Sequence, residues 1–134
     1  MRGTTINNVT LVGNITRDPE IKEIKVNGNP QKITNFVLAV PRYYTKNNGE
    51  HGKEVTYIRL EAWASGAQAL VHQCTKGTKL FVEGSLKNES WVTDSGDKKH
   101  ITKVRVSKFV VLDSAPSPSS HYEQYEQEES SVGD

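Results

Sequence analysis

In the segment EVTYIRLEAWAS, residues 54–65, Tyr57, Arg59, Glu61 and Trp63 alternate with Thr56, Ile58, Leu60 and Ala62. A period of two marks a β-strand with one face in a core. The aliphatic set is therefore expected inside and the Tyr–Arg–Glu–Trp set on the face toward water. The same test on residues 79–93 places Leu80, Val82 and Leu86 on one side and Phe81, Glu83, Lys87, Glu89 and Trp91 on the other. In residues 99–113, Thr102, Val104 and Val106 oppose Lys103 and Arg105. An aromatic ring offered to water can stack on the π-face of an unpaired base, at about 1–3 kcal/mol per base. Cations beside it neutralise phosphates. Exposed aromatics also serve as cross-strand partners or oligomer interfaces. Three of them on polar strand faces, Tyr57, Trp63 and Trp91, point instead to a stacking platform for single-stranded nucleic acid.

No other constellation converges on chemistry. His51, His72, His100 and His121 are scattered, and with Cys74 the only cysteine no zinc spacing exists. Glu61 and Glu83 read as alternating surface charges of strands rather than a catalytic pair. The glycine of VNGNP precedes a strand, not a helix, so it forms no phosphate loop. The chain is expected to be neither an enzyme nor a holder of a metal or cofactor.

The elements that would carry this platform are mostly strands. NNVTLVGNIT is β-branched, and its Gly13 suits a bulge or a close backbone approach. Ile21, Ile24 and Val26 form a short run ending in NGN, a hairpin signal. KITNFVLAVPRYY sets Phe36, Leu38 and Val40 on one face, and Pro41, which cannot donate to a ladder, requires a bulge or an edge there. TKNNGEHGKE is a polar loop. The helix candidate is SGAQALVHQC, with Ser65 as N-cap, Ala67, Leu70, Val71 and Cys74 on one stripe, and a stop near Gly77. Five strands with one short helix between the third and fourth suit an all-β, partly open barrel of the OB type.

The bulk numbers agree. Hydrophobic residues make up 34% of 134 residues, against about 45–50% in globular domains when Gly is counted, and the deficit is concentrated at one end. Residues 1–113 hold all 17 Lys and Arg against 11 Asp and Glu, a net of +6. Residues 114–134 carry five acids and no base, a net of −5. A basic body, 1–113, thus precedes an acidic Pro/Ser/Glu tail, 114–134, with the composition of a disordered segment. One cysteine excludes an internal disulfide, and no apolar run reaches the roughly 20 residues of a membrane span. The expectation is a soluble intracellular protein without a signal peptide.

INNVTLVGNITRDPEI, ITNFVLAVPR, LEAW, TKGTKLFVEGSL and WVTDSGDKKHITKVRV, in that order from about Ile6 to Asp113, resemble successive segments of the bacterial and phage single-stranded DNA-binding proteins, the SSB family. The resemblance implies an OB-fold and a homotetramer that coats single-stranded DNA without sequence preference during replication, recombination and repair, in the cytoplasm or nucleoid. It implies stacking by Tyr44, Tyr57, Trp63 and Trp91. Tyr44 rests on resemblance alone, because alternation aligns it with Phe36 to Val40 unless the chain bulges at Pro41. Phosphate contacts are expected from Arg59, Lys87, Lys103 and Arg105, which share the platform faces, and from Arg42 and Lys46 beside the long loop. The tail ends EQEESSVGD, without the proline and terminal phenylalanine by which family tails dock on replication and repair proteins. That departure suggests a phage, plasmid or otherwise divergent member. Two rival readings share the fold: a primosome-like protein adaptor, which would keep its partner at high salt, and an RNA-binding module.

Overall fold

Over residues 3–115, which the computed structural model describes, the chain forms β1 (Val9–Ile15), β2 (Lys22–Val26), β3 (Asn29–Thr45), β4 (His51–Trp63), α1 (Ala64–Gln73), β5 (Lys79–Val92) and β6 (Lys98–Asp113). The five long strands are the five expected. β2 is the short arm of the hairpin that NGN announced, and Asn27 and Gly28 both take positive φ, 52° and 82°, as a type I′ turn requires. From residue 116 on, the acidic tail lies outside the described residues.

The strands run in the order β1-β5-β6-β4-β3-β2, and β1 also pairs with β3 through Asn14↔Ala39 and Ile15↔Leu38. That last pairing closes β1, β5, β6, β4 and β3 into a five-stranded OB-type barrel. Only β4 and β6 run parallel among these pairs, at Leu60↔Val104 and Glu61↔Arg105. Closure needs bare backbone at two places. A Cβ on Gly13 would stand 2.6 Å from the Ala39 carbonyl oxygen, where β1 crosses to β3. A Cβ on Gly84 would collide with the Arg105 carbonyl, where the β5–β6 register shifts between Glu83 and Gly84. Beyond Gly84, β5 leaves β1 and continues with β6 as a two-stranded arm.

Inside the barrel lie Ile15, Phe36, Leu38, Leu60, Ala62, Leu80, Val82 and Val104. Each large aliphatic or aromatic among them contributes about 1.5–3 kcal/mol by leaving water. Helix α1 packs on β3, β4 and β6 and adds Ala67 and Leu70 to this core, with Cys74 just past its end. Ser65 is not the N-cap. The helix begins two residues earlier than a capping serine would allow: Trp63, still extended, holds the cap position with no side-chain bond, and Ala64 makes the corner at φ 53°. The strand turns into the helix with no intervening loop. Past the helix, Gly77 N–H donates to the Ile15 carbonyl and Ile15 N–H to that of Thr78, joining this turn to β1.

One strand expectation is corrected, and at Pro41 the edge alternative holds. Leu86 has the phase of a core residue yet is 51% exposed, because it lies past the Gly84 bend on the arm. Its backbone is bound by the Asn7 side chain at 2.7 and 2.8 Å instead. At Pro41 the β3–β4 ladder runs unbroken through Pro41↔Val55. β3 has no second partner there among the described residues, so Pro41 is accommodated at an edge and not by a bulge.

Candidate nucleic-acid interface

Strand register assembles the polar face. β3–β4 pairing sets Ala39 beside Tyr57, Val37 beside Arg59, Asn35 beside Glu61 and Ile33 beside Trp63. β4 meets β6 at Glu61↔Arg105, and β5 meets β6 at Ser85↔Arg105, Lys87↔Lys103 and Trp91↔Lys99. Residues paired across a ladder share a face. Tyr57, Arg59, Glu61, Trp63, Lys87, Glu89, Trp91, Lys103 and Arg105 therefore lie on one outer surface, as their phases predicted. A groove of about 1130 Å³ runs over part of it, with Tyr57, Arg59, Trp91 and Lys103 in its walls, Arg17 from the β1–β2 connection and Lys22 from the start of β2. The volume exceeds the roughly 300–1,000 Å³ of a compact ligand site, as suits an extended ligand.

The three aromatics on this face are not equivalent. Tyr57 and Trp91 are 67% and 47% exposed and offer ring surface to the groove. Trp63 is half-buried and braced. Its indole N–H donates to Glu61 Oε2, and its ring lies under Lys87 Nζ at 5.7 Å and Arg105 Cζ at 5.4 Å from the centroid. Cation–π attraction holds such pairs together, and none of Trp63, Lys87 and Arg105 lines the groove.

Glu61 departs most from its phase. It is 1% exposed, not a surface charge, because β3 and β6 flank β4 at this position and Trp63, Lys87 and Lys103 cover its carboxylate. Lys87 Nζ stands 3.0 Å from Oε2 and Lys103 Nζ 3.4 Å from Oε1. Burial alone pushes the Glu61 carboxyl up, but the bonds from Trp63 and Lys87 and the charges of Lys87 and Lys103 outweigh it and hold the group below the usual carboxylate range.

The remaining expected residues lie elsewhere. With no bulge at Pro41, Tyr44 stays on the opposite face of the β3–β4 hairpin, its ring packed over Gly52. Arg42 is on that same face, bonded to Glu54 at 2.7 Å and 5.2 Å from the Tyr44 centroid. Lys46 sits in the hairpin tip and is not among the groove-lining residues. Tyr43 instead shares the face of Tyr57, 49% exposed, with Lys53 Nζ 5.6 Å from its ring. Parity with Tyr57 across the ladder was the signal that identifies Tyr43. Arg17 and Lys22 had no such signal, since they flank a connection whose path no strand period predicts. Among the described residues no group of three or more His, Cys, Asp and Glu is placed to hold a metal, and the thiol of buried Cys74 is pushed up by burial.

Residues 6–112 match the model of the single-strand binding protein family. A single-stranded DNA-binding protein of Streptococcus mutans is 34% identical over 109 residues, covering 81% of this chain and 63% of its own length. One of Rickettsia felis is 35% identical over 119 residues, covering 84% of this chain and 76% of its own length. The chain thus spans less than two thirds of the streptococcal relative. Among solved structures, the Plasmodium falciparum SSB in complex with ssDNA superposes with a TM-score of 0.71 at 26% identity, covering 84% of this chain and all of that one. A deletion mutant of the Thermus aquaticus single-stranded DNA binding protein gives 0.69 at 27% identity, covering 81% of this chain and 51% of its own.

Proposed function

The chain belongs to the single-strand binding protein family, and we propose that it binds single-stranded DNA without sequence preference and protects it during replication, recombination and repair. The observation that carries this reading is that the open rings of Tyr57 and Trp91 and the cations Arg17, Lys22, Arg59 and Lys103 line one groove. Unpaired bases lie flat on the rings while the phosphates follow the cations. A duplex keeps its bases stacked on one another and cannot use the rings, so the groove selects single strands without reading their sequence. Nothing in this scheme needs catalysis. Residues 1–113 are the binding domain and 114–134 an acidic tail that competes with DNA for basic groups.

Titrating the full chain with oligo(dT) and with a duplex of equal length, at two salt concentrations, tests this. Both tryptophans border the platform, so their emission is expected to quench with oligo(dT). Four groove cations give a log–log salt slope of about −3, at about −0.7 per phosphate neutralised on a single strand. Absence of quenching at low salt, or equal affinity for duplex, would reject the reading.

The proposed assembly is a homotetramer. Supporting it, Val9–Gly13 of β1 have β5 on one side and no second neighbour among the described residues. Val12, Val110 and Leu112 are exposed on the adjoining outer surface. An unpaired strand edge beside apolar side chains is where another copy can add. Light scattering is expected to give about four chain masses, and a single-chain mass at every concentration would remove this part of the proposal.

A further inference from the structure

Lys103 is the groove-lining cation that joins the Glu61 network; its side chain is only 14% exposed, and it is already engaged. Its Nζ has Glu89 Oε2 at 2.5 Å, Asn35 Oδ1 at 3.3 Å and Glu61 Oε1 at 3.4 Å. An ammonium has three N–H donors and no more, so three oxygens stand where a phosphate would have to bind. Only Glu61 is fixed, sealed in and bound also by Trp63 and Lys87, while Asn35, exposed on β3, is a neutral amide with no charge to exchange for a phosphate's. Glu89 is different: its side chain is 47% exposed, it projects from the β5–β6 arm beyond the barrel, and it lines the groove with Trp91.

We propose that Glu89 occupies the place of a DNA phosphate in the free protein and sets the affinity of the groove by competing for Lys103. The inference rests on the reading of the groove as a DNA site and adds which contact must break for it to fill. A phosphate oxygen replaces Glu89 Oε2 on Lys103, and the displaced carboxylate moves to water. Glu61 stays, so the ammonium remains in place throughout. Exchange of one anion for another lowers the net gain from this contact.

The test is a double-substitution cycle in the full chain, read as the dissociation constant for oligo(dT). Glu89→Gln keeps size and shape, and it is expected to tighten binding about two- to fivefold, the span of an ion pair with one exposed partner. In a Lys103→Gln background that gain should vanish. An equal gain in both backgrounds would mean plain repulsion of DNA by a nearby carboxylate and would overturn the inference, as would no gain in the native background. Should Lys103→Gln fail to melt cooperatively, Glu20→Gln replaces that arm. Glu20 lines the same groove and makes no ion pair among the described residues, so a gain matching that of Glu89→Gln again overturns the inference. If the unsubstituted chain does not bind oligo(dT), the DNA reading itself fails, and this inference with it.

Discussion

Replacing Tyr57 and Trp91 together by alanine is expected to weaken oligo(dT) binding by about 2–6 kcal/mol, roughly thirtyfold to twenty-thousandfold, if each ring contributes the usual 1–3 kcal/mol of base stacking. These two residues are singled out because they line the groove and are 67% and 47% exposed. Their removal leaves no cavity in the core and no buried polar group without a partner, so the melting temperature should hardly move. Tyr57→Phe, which keeps the ring and loses only the hydroxyl, should bind like the native chain. Trp63 does not belong to this pair. Its ring is half-buried, tied to Glu61 and covered by two cations, so its alanine variant combines lost contact with lost structure and reads neither cleanly. A double variant Tyr57→Ala/Trp91→Ala that binds within threefold of the native chain would remove base stacking from the mechanism.

Glu61→Ala is expected to destabilise the fold by about 3 kcal/mol. Breaking a buried pair by removing one partner costs roughly 3–5 kcal/mol, since it leaves an uncompensated charge. The low end applies because Lys103 keeps Glu89 and Asn35, and Lys87 is 34% exposed and can reach water. The contrast is Arg42–Glu54, a closer pair at 2.7 Å whose side chains are 67% and 55% exposed. Glu54→Ala should change stability by less than about 1 kcal/mol, because solvent screens that pair. Burial, not distance, separates the two.

A pH signature follows from the same carboxylate. Folding lowers the Glu61 pKa, so its stabilisation is fully present above the unfolded-state value and is lost as pH falls through the lower folded-state value. Urea unfolding of the native chain should therefore show stability declining across acid pH. Glu61→Gln, which cannot ionise, should be less stable at pH 7 and show a shallower decline. If Glu61→Ala unfolds at the native urea midpoint at pH 7, the network does not stabilise the fold.

Much of this was legible in residue order, for a local reason. Period-two alternation is a property of the chain a few residues at a time, and it correctly grouped Tyr57, Arg59 and Trp63 on one side of β4 and Lys87, Glu89 and Trp91 on one side of β5. Asn27-Gly28 announced its turn because few other residues tolerate positive φ twice in succession. Alternation alone assigns side chains to faces; how deep each one lies depends on what the rest of the chain brings over it. Leu86 and Glu61 show the two directions of that difference. Leu86 has the core phase and is exposed, because the Gly84 bend carries it past the last strand that would cover it. Glu61 has the solvent phase and is buried, because β3, β6 and three side chains from 2, 26 and 42 residues along the sequence close around it. Which face Tyr44 takes turned on whether one residue was inserted at Pro41, a matter of pairing energy between two strands that neither strand contains. Arg17 and Lys22 reached the groove only because the barrel closed and folded their connection across it. Residue order thus specified which side chains share a face; long-range closure specified which of them meet water, each other, or the ligand.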